Sequence, residues 1–81
     1  MNKPIRTIDQ LKAVLRRARQ AQNLSQAQFG NRLGLSQMRI STIELHPERM
    51  SVDQLLTVLT QLGQDLIIQP RSTTPPARED W

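Results

Sequence analysis

A short segment of the chain, residues 36–42, has the side chains needed to read the edges of DNA bases. A glutamine amide can pair with adenine, an arginine guanidinium with guanine, and a methionine or a threonine methyl group can contact thymine. The candidate base-contacting residues are Ser36, Gln37, Met38, Arg39, Ser41 and Thr42. The alternative is the solvated face of a small helix bundle, and a lone methionine such as Met38 is also common in a core or at its rim.

The distribution of charge favours an anionic partner. The net charge is +4, but residues 1–49 hold nine lysines and arginines against three acidic residues, which leaves the remainder of the chain slightly acidic. Nucleic acid is the commonest partner of such a basic half, and arginines that contact phosphates set position and salt dependence. The candidates for phosphate contacts are Arg16, Arg17, Arg19, Arg32 and Arg49. For Arg16 and Arg17 the alternative is a solvated helix face.

Several classes of protein are disfavoured by what the chain lacks. It has no cysteine, which excludes disulfides and thiolate metal sites, and no apolar run approaches the roughly 20 residues that span a bilayer. No secretory leader is apparent, so we expect a cytoplasmic bacterial protein associated with the nucleoid. The only histidine, His46, precedes Pro47 and has no nucleophile or ligand set around it, so we expect no catalytic residue, metal or cofactor. A module that only dimerises is the remaining alternative to DNA binding.

Helix-start patterns recur along the chain and predict four short helices. Thr7 with Gln10, Ser25 with Gln28 and Ser51 with Gln54 have the spacing of capping boxes, and Ser36 is an N-cap without the box. Helix stops follow at Asn23, Gly34, Pro47 and Gly63. The predicted helices run from residue 8 towards Asn23 and over 26–33, 37–45 and 52–62, which indicates an all-α fold.

The spacing of apolar residues changes after the fourth predicted helix. Residues 65–69, with Leu66, Ile67 and Ile68 at their centre, read as one strand closed by Pro70. A lone strand needs a partner, and the same strand of a second copy would give an antiparallel ribbon between subunits. A strand near residues 3–6 is the intramolecular rival. We therefore expect a folded domain over residues 1–70 and a polar, proline-rich, disordered tail over 71–81.

The segment from Ser25 to Glu44 carries a two-helix motif. The pattern consists of a Ser-Gln pair, apolar and small residues, Gly34, an apolar residue, a second Ser-Gln pair and a final Glu. It resembles the Xre/Cro-like family of phage and bacterial repressors, and the resemblance covers roughly residues 11–63. The resemblance implies a Cro/phage-repressor-like helix-turn-helix bundle of four to five helices, whose dimer binds a palindromic operator in double-stranded DNA. It also implies that Gln26 binds a phosphate and braces Gln37, and that Glu44 pairs with Arg19 or Arg16. One departure is Gly30, where the family usually has alanine, and this glycine should weaken its helix slightly.

The order of the parts also resembles the HipB-type antitoxins, the partners of HipA-type kinase toxins. The similar features are residues 11–19, the connection from Glu44 to Ser51, the apolar segment after the fourth helix, and the proline-rich tail with Glu-Asp-Trp at residues 79–81. The resemblance implies an autorepressor that neutralises a kinase toxin by complex formation, with residues 66–68 as an intersubunit lid and Trp81 bound in a toxin pocket. Burying an exposed tryptophan is favourable by roughly 2–3 kcal/mol, which makes Trp81 a plausible anchor on physical grounds alone. The alternatives are an incidental exposed tryptophan and a stand-alone Xre-family repressor without a kinase partner.

Overall fold

Four α-helices make up the fold in a computed structural model that describes residues 4–71. They are α1 (Ile8–Ala21), α2 (Gln26–Leu33), α3 (Gln37–Leu45) and α4 (Val52–Gln61), and a short 3-10 turn (Pro47–Arg49) joins α3 to α4. The predicted all-α helical bundle is confirmed. The bounds of α2 and α3 agree with the sequence prediction, and α4 ends one residue earlier than predicted, with Leu62 as its C-cap.

All four helices begin at the predicted hydroxyl residue. At Thr7 and Ser25 the capping box is complete. The hydroxyl accepts the backbone N–H of the glutamine three residues later, and the side-chain oxygen of that glutamine accepts the backbone N–H of the cap residue. Ser36 and Ser51 each accept one backbone N–H, from Arg39 and Gln54 respectively. The capping box predicted for Ser51 and Gln54 is wrong, because the side-chain oxygen of Gln54 accepts from Arg39 instead.

The core contains side chains from every helix. Its buried apolar residues are Leu15, Ala18, Phe29, Ile40, Ile43, Val58, Leu59 and Leu62. The apolar residues of the sequence predict that Val52, Leu55, Leu56 and Leu59 form the packed face of α4. This prediction is partly wrong, because Val52 and Leu56 remain 69% and 43% exposed while Val58 and Leu62 are buried. The partly buried Leu55 and the buried Val58, Leu59 and Leu62 follow the three- and four-residue spacing of one helix face more closely than the predicted set.

The turn between α2 and α3 depends on two glycines with different roles. Gly34 has φ of 71°, in the left-handed region where a side chain is strained, and this conformation ends α2 as predicted. Gly30 is buried inside α2, and a Cβ there would lie 2.5 Å from the carbonyl oxygen of Leu35 and 3.3 Å from Cγ1 of Ile40. The expectation that Gly30 merely weakens its helix is therefore incomplete, since the glycine also lets the turn approach α2 closely.

The segment after α4 forms no strand within the described residues. The side chains of Leu66, Ile67 and Ile68 are 50%, 66% and 93% exposed, and no backbone hydrogen bond joins this segment to residues 4–6. A strand is defined by pairing, and a single chain supplies no second copy with which this segment could pair. The predicted tail from residue 72 onward, including Trp81, lies outside the described residues. Over residues 4–71 we find no helix with the length and apolar character needed to cross a membrane.

Candidate nucleic-acid interface

Helix α3 has one buried face and one exposed face. Ile40, Ile43 and Glu44 are buried against the other helices. Successive residues turn by about 100°, so Met38 and Thr42 lie on the opposite side, and the side chain of Met38 is 77% exposed. Gln37 and Arg39 are exposed on the two flanks, and Ser41 is half-buried on the flank that Gln37 shares. The six candidate base-contacting residues therefore cover the outward half of the helix and its N-terminus.

A buried ion pair fixes α3 to α1. Nε and Nη2 of Arg19 donate to the two carboxylate oxygens of Glu44 at 2.5 and 3.1 Å, and both side chains are about one-tenth exposed or less. Nη1 of Arg19 donates to the carbonyl oxygen of Leu24 at 2.8 Å, in the connection to α2. Glu44 is expected to pair with Arg19 or Arg16, and the structure shows the pair with Arg19, while Arg16 is exposed. The two-pronged geometry holds three segments at fixed positions.

The same carboxylate holds the side chain of Gln26. Nε2 of Gln26, in the first turn of α2, donates to Oε1 of Glu44 at 3.2 Å. The expected brace is absent among the described residues, since no hydrogen bond joins Gln26 to Gln37, and the amide of Gln26 contacts Glu44 instead. Gln26 and Gln37 nevertheless line one shallow cleft of about 320 Å³ together with Met38 and Ser41. This cleft joins the start of α2 to the exposed face of α3.

Three hydroxyl groups on or beside α3 differ in what they can still bind. The Ser36 oxygen accepts the N–H of Arg39 at 3.0 Å, which leaves the hydroxyl proton free to donate. Oγ1 of Thr42 donates to the carbonyl oxygen of Met38 at 3.1 Å, so its lone pairs and its methyl group remain for a ligand. Ser41 makes no side-chain hydrogen bond among the described residues and opens onto the cleft.

Arg39 is held against α4. Its Nη2 donates to Oε1 of Gln54 at 3.0 Å, and Gln54 lies in the first turn of α4. The guanidinium of Arg39 is thus drawn to the flank of α3 opposite Gln26.

Most of the predicted phosphate-contacting arginines are exposed and unneutralised. The ion pairs among residues 4–71 are Lys12 with Asp9, Arg19 with Glu44, and His46 with Glu48. Arg16, Arg17 and Arg49 are exposed outside these pairs, and Nη1 of Arg32 contacts only the neutral amide of Gln22, at 3.5 Å. Arg19 is the exception, since its charge is used inside the core. The described part of the molecule therefore has an excess of solvent-facing positive charge.

Two residues of this surface were missed from the sequence. Gln54 was interpreted only as a capping partner, and its local pattern gave no signal of a contact with Arg39. Leu45, 49% exposed, lies seven residues after Met38, and this spacing puts it on the same face of α3. That spacing could have revealed Leu45 before the structure. The position of His46 beside Pro47 predicts a solvent-exposed loop residue, and its side chain is close to half exposed, with its Nδ1 3.3 Å from a carboxylate oxygen of Glu48.

Two helices joined by a tight turn, the second buried on one side and polar on the other, define the class of helix-turn-helix DNA-binding proteins. A family model described as a helix-turn-helix domain matches residues 3–70. The protein therefore belongs to this helix-turn-helix family. Membership supports sequence-specific DNA binding and a role in transcription regulation, and such domains are typically not enzymes. No curated protein and no solved structure matches the chain significantly.

Proposed function

We propose that this protein is a dimeric autorepressor that reads a palindromic operator through α3, and that it is the antitoxin of a HipA-type kinase toxin. The two-faced structure of α3 carries the DNA-binding part of this proposal. One face is fixed to the core by Ile40, Ile43 and the Arg19–Glu44 ion pair, and the other exposes polar and flexible side chains. A rigid helix with a free polar face is the element that such proteins insert into the major groove.

The free hydrogen-bonding groups suggest a role for each base-contacting residue. Gln37 offers the oxygen of its amide as an acceptor and the nitrogen as a donor to adenine, and Arg39 offers a guanidinium to guanine. Met38 and the Thr42 methyl group form an apolar surface suited to a thymine methyl, while Ser36 and Ser41 retain hydroxyl protons for acceptors. These residues carry the sequence preference in our proposal.

Contacts to phosphates supply the sequence-independent part of the affinity. Gln26 is suited to this role because Glu44 holds its amide at the start of α2, beside the cleft shared with Gln37. Arg16, Arg17 and Arg32 are exposed and not neutralised by any carboxylate of the described chain. Each phosphate neutralised by an arginine releases counterions, which makes binding steeply dependent on salt.

Selection from a randomised duplex library tests the DNA-reading proposal. We expect the wild type to enrich a palindrome whose half-sites lie about one helical turn, roughly 10 base pairs, apart. Gln37→Ala should abolish or change this preference. Gln61→Ala, which alters an exposed glutamine at the end of α4, should leave it unchanged. Enrichment of no sequence by the wild type would overturn the proposal.

The apolar segment 66–68 supports a dimer. These three side chains are exposed, and Ile67 and Ile68 line a groove of about 300 Å³ with Ile5 and two prolines on its apolar part and Arg6, Gln69 and Arg71 on its polar part. A cluster of exposed apolar side chains on an unpaired segment is typical of an interface, and a second copy offers the same segment for antiparallel pairing.

Sedimentation measurements test the dimer. We expect the wild type to sediment as a dimer and Ile68→Lys to sediment as a monomer, because an ammonium group buried in the groove would lie beside Arg6 and Arg71 without an acid to pair with. Val52→Lys is the matched control, since Val52 is 69% exposed and does not line the groove. A monomeric wild type would favour the intramolecular rival, in which residues 4–6 cover the segment.

The antitoxin part of the proposal is supported by the sequence resemblance and by the chemistry of Trp81. The order of four helices followed by the apolar segment 66–68 agrees with a HipB-type arrangement. A tryptophan in a polar, proline-rich tail is suited to fill a pocket on another protein. The second candidate is a stand-alone repressor, which the helix-turn-helix features favour equally.

Copurification of the tagged protein from its host separates these two candidates. An antitoxin should retain a HipA-type kinase, and Trp81→Ala should lose that kinase while still binding operator DNA. Gln37→Ala should show the opposite behaviour, with the kinase retained and operator binding impaired. Operator binding without a copurifying kinase would leave the stand-alone repressor.

A further inference from the structure

We propose that Gln54 is a positioning residue that orients Arg39 for base recognition and thereby sets the base preference at one position of each half-site. The inference rests on the proposed function, since it assigns a role within the same DNA-reading surface. It extends that surface beyond α3, because Gln54 belongs to α4.

The geometry at the start of α4 carries this inference. Gln54 is the third helical residue after the cap Ser51, the position at which glutamine completes the capping boxes of α1 and α2. At α4 the hydroxyl of Ser51 still accepts the Gln54 N–H at 3.0 Å, but the amide oxygen of Gln54 is directed away from the cap. It accepts from Nη2 of Arg39 at 3.0 Å. The side chain of Gln54 is therefore used to hold a residue of α3.

Holding the guanidinium has a direct chemical consequence. A solvent-exposed arginine samples many rotamers, and fixing one of them before binding reduces the entropy lost on binding. The guanidinium has five N–H donors, of which Gln54 occupies one. The remaining donors are sufficient for two parallel hydrogen bonds to guanine. The amide of Gln54 thus fixes the direction of the fork and leaves its binding capacity intact.

The contact is well suited to mutation because the cap does not depend on it. Gln54→Leu keeps the backbone N–H that Ser51 caps, keeps a good helix former, and removes only the acceptor for Arg39. Gln54→Glu keeps an acceptor oxygen at the same position. Gln61→Ala changes an exposed glutamine of the same helix and serves as the control. Circular dichroism and thermal unfolding establish that each variant is folded.

The experiment is library selection followed by affinity measurement on the enriched duplex and on its single-base-pair variants. For Gln54→Leu we expect affinity for the enriched duplex to fall about three- to tenfold. Discrimination between bases should be lost at one base pair only, the base pair at which Arg39→Ala also removes the preference. In the Arg39→Ala background, Gln54→Leu should have no further effect. Gln54→Glu should restore the preference, and Gln61→Ala should not alter it.

Two results would overturn the inference. An equal loss of affinity for all duplexes, or an undiminished effect of Gln54→Leu in the Arg39→Ala background, would assign Gln54 a general structural role. If the wild type enriches no duplex, the proposed function itself fails and the inference with it. The wild-type selection thus separates the failure of the function from the failure of the positioning role.

Discussion

Arg19 and Glu44 face each other across the buried junction of α1 and α3, and two hydrogen bonds of 2.5 and 3.1 Å join the guanidinium to the carboxylate. The same carboxylate accepts the amide of Gln26 at 3.2 Å. One buried acid on α3 therefore connects the core of the domain both to α1 and to the first turn of α2.

Removal of one member of this pair should be strongly destabilising. Glu44→Ala leaves the guanidinium of Arg19 buried without its acid, and we expect a loss of about 3–5 kcal/mol in the free energy of unfolding. Urea unfolding at a fixed protein concentration measures this loss. The double variant Arg19→Met with Glu44→Leu should recover most of the stability, since it removes both charges and fills the space. A double variant as unstable as the sum of the two single variants would show that packing, rather than charge burial, sets the cost.

Alanine substitution of Gly30 and of Gly34 should lower the free energy of unfolding for two different physical reasons. Gly30→Ala places a Cβ 2.5 Å from the Leu35 carbonyl oxygen, and we expect a destabilisation of about 1–3 kcal/mol from the forced shift of the turn. Gly34→Ala meets no atom within 4 Å, so its cost of about 1 kcal/mol comes from the left-handed backbone alone. Thermal unfolding compares the two. If Gly30→Ala is more stable than the wild type, the gain in helix propensity exceeds the cost of the close contact.

Gln22 should stabilise the contact between α1 and α4. Its Nε2 donates at 2.8 Å to the carbonyl oxygen of Leu62, which follows the last turn of α4. Gln22→Ala should cost about 1 kcal/mol, because the carbonyl oxygen of Leu62 loses its donor. Gln20→Ala, an exposed glutamine two residues earlier, should change stability by less than about 0.5 kcal/mol. Equal effects of Gln22→Ala and Gln20→Ala would contradict a stabilising role for this hydrogen bond.

Salt dependence should distinguish the two kinds of phosphate contact. Arg32→Ala removes a charge, so the slope of log Kobs against log salt should become shallower by about 0.9 for each phosphate that is no longer neutralised. Gln26→Ala removes a neutral donor and should lower affinity for specific and non-specific duplexes alike, with the slope unchanged. Fluorescence anisotropy over a salt series measures both. An unchanged slope for Arg32→Ala would remove Arg32 from the proposed contacts.

The helices could be predicted because their signals are local. A hydroxyl cap, a glycine or proline stop, and the spacing of apolar residues all act within a few positions of each other, and these features gave the bounds of α2 and α3. The spacing of residues along α1 also favours Arg19 over Arg16 as the partner of Glu44. Arg19 follows Leu15 by four residues and so shares the buried face of α1, whereas Arg16 does not.

The features that the sequence did not predict depend on how the elements pack together rather than on local pattern. The amide of Gln54 had a capping role by its local pattern, and only the packing of α3 against α4 brings Arg39 within its reach. The close approach of Leu35 to Gly30 likewise depends on how tightly the turn folds back. The proposed pairing of residues 66–68 needs a second copy, which a single chain does not contain. The base- and phosphate-contacting roles remain predictions.

The division of α3 into a fixed face and a free face has a consequence for how such a protein can change. Ile40, Ile43 and Glu44 of α3 are buried in the fold, while Gln37, Met38 and Arg39 are exposed. Substitutions on the free face therefore have little energetic cost to folding, so a new DNA preference can arise without a compensating change in the core. The surface that would distinguish one operator from another is also the part of the helix most tolerant of mutation.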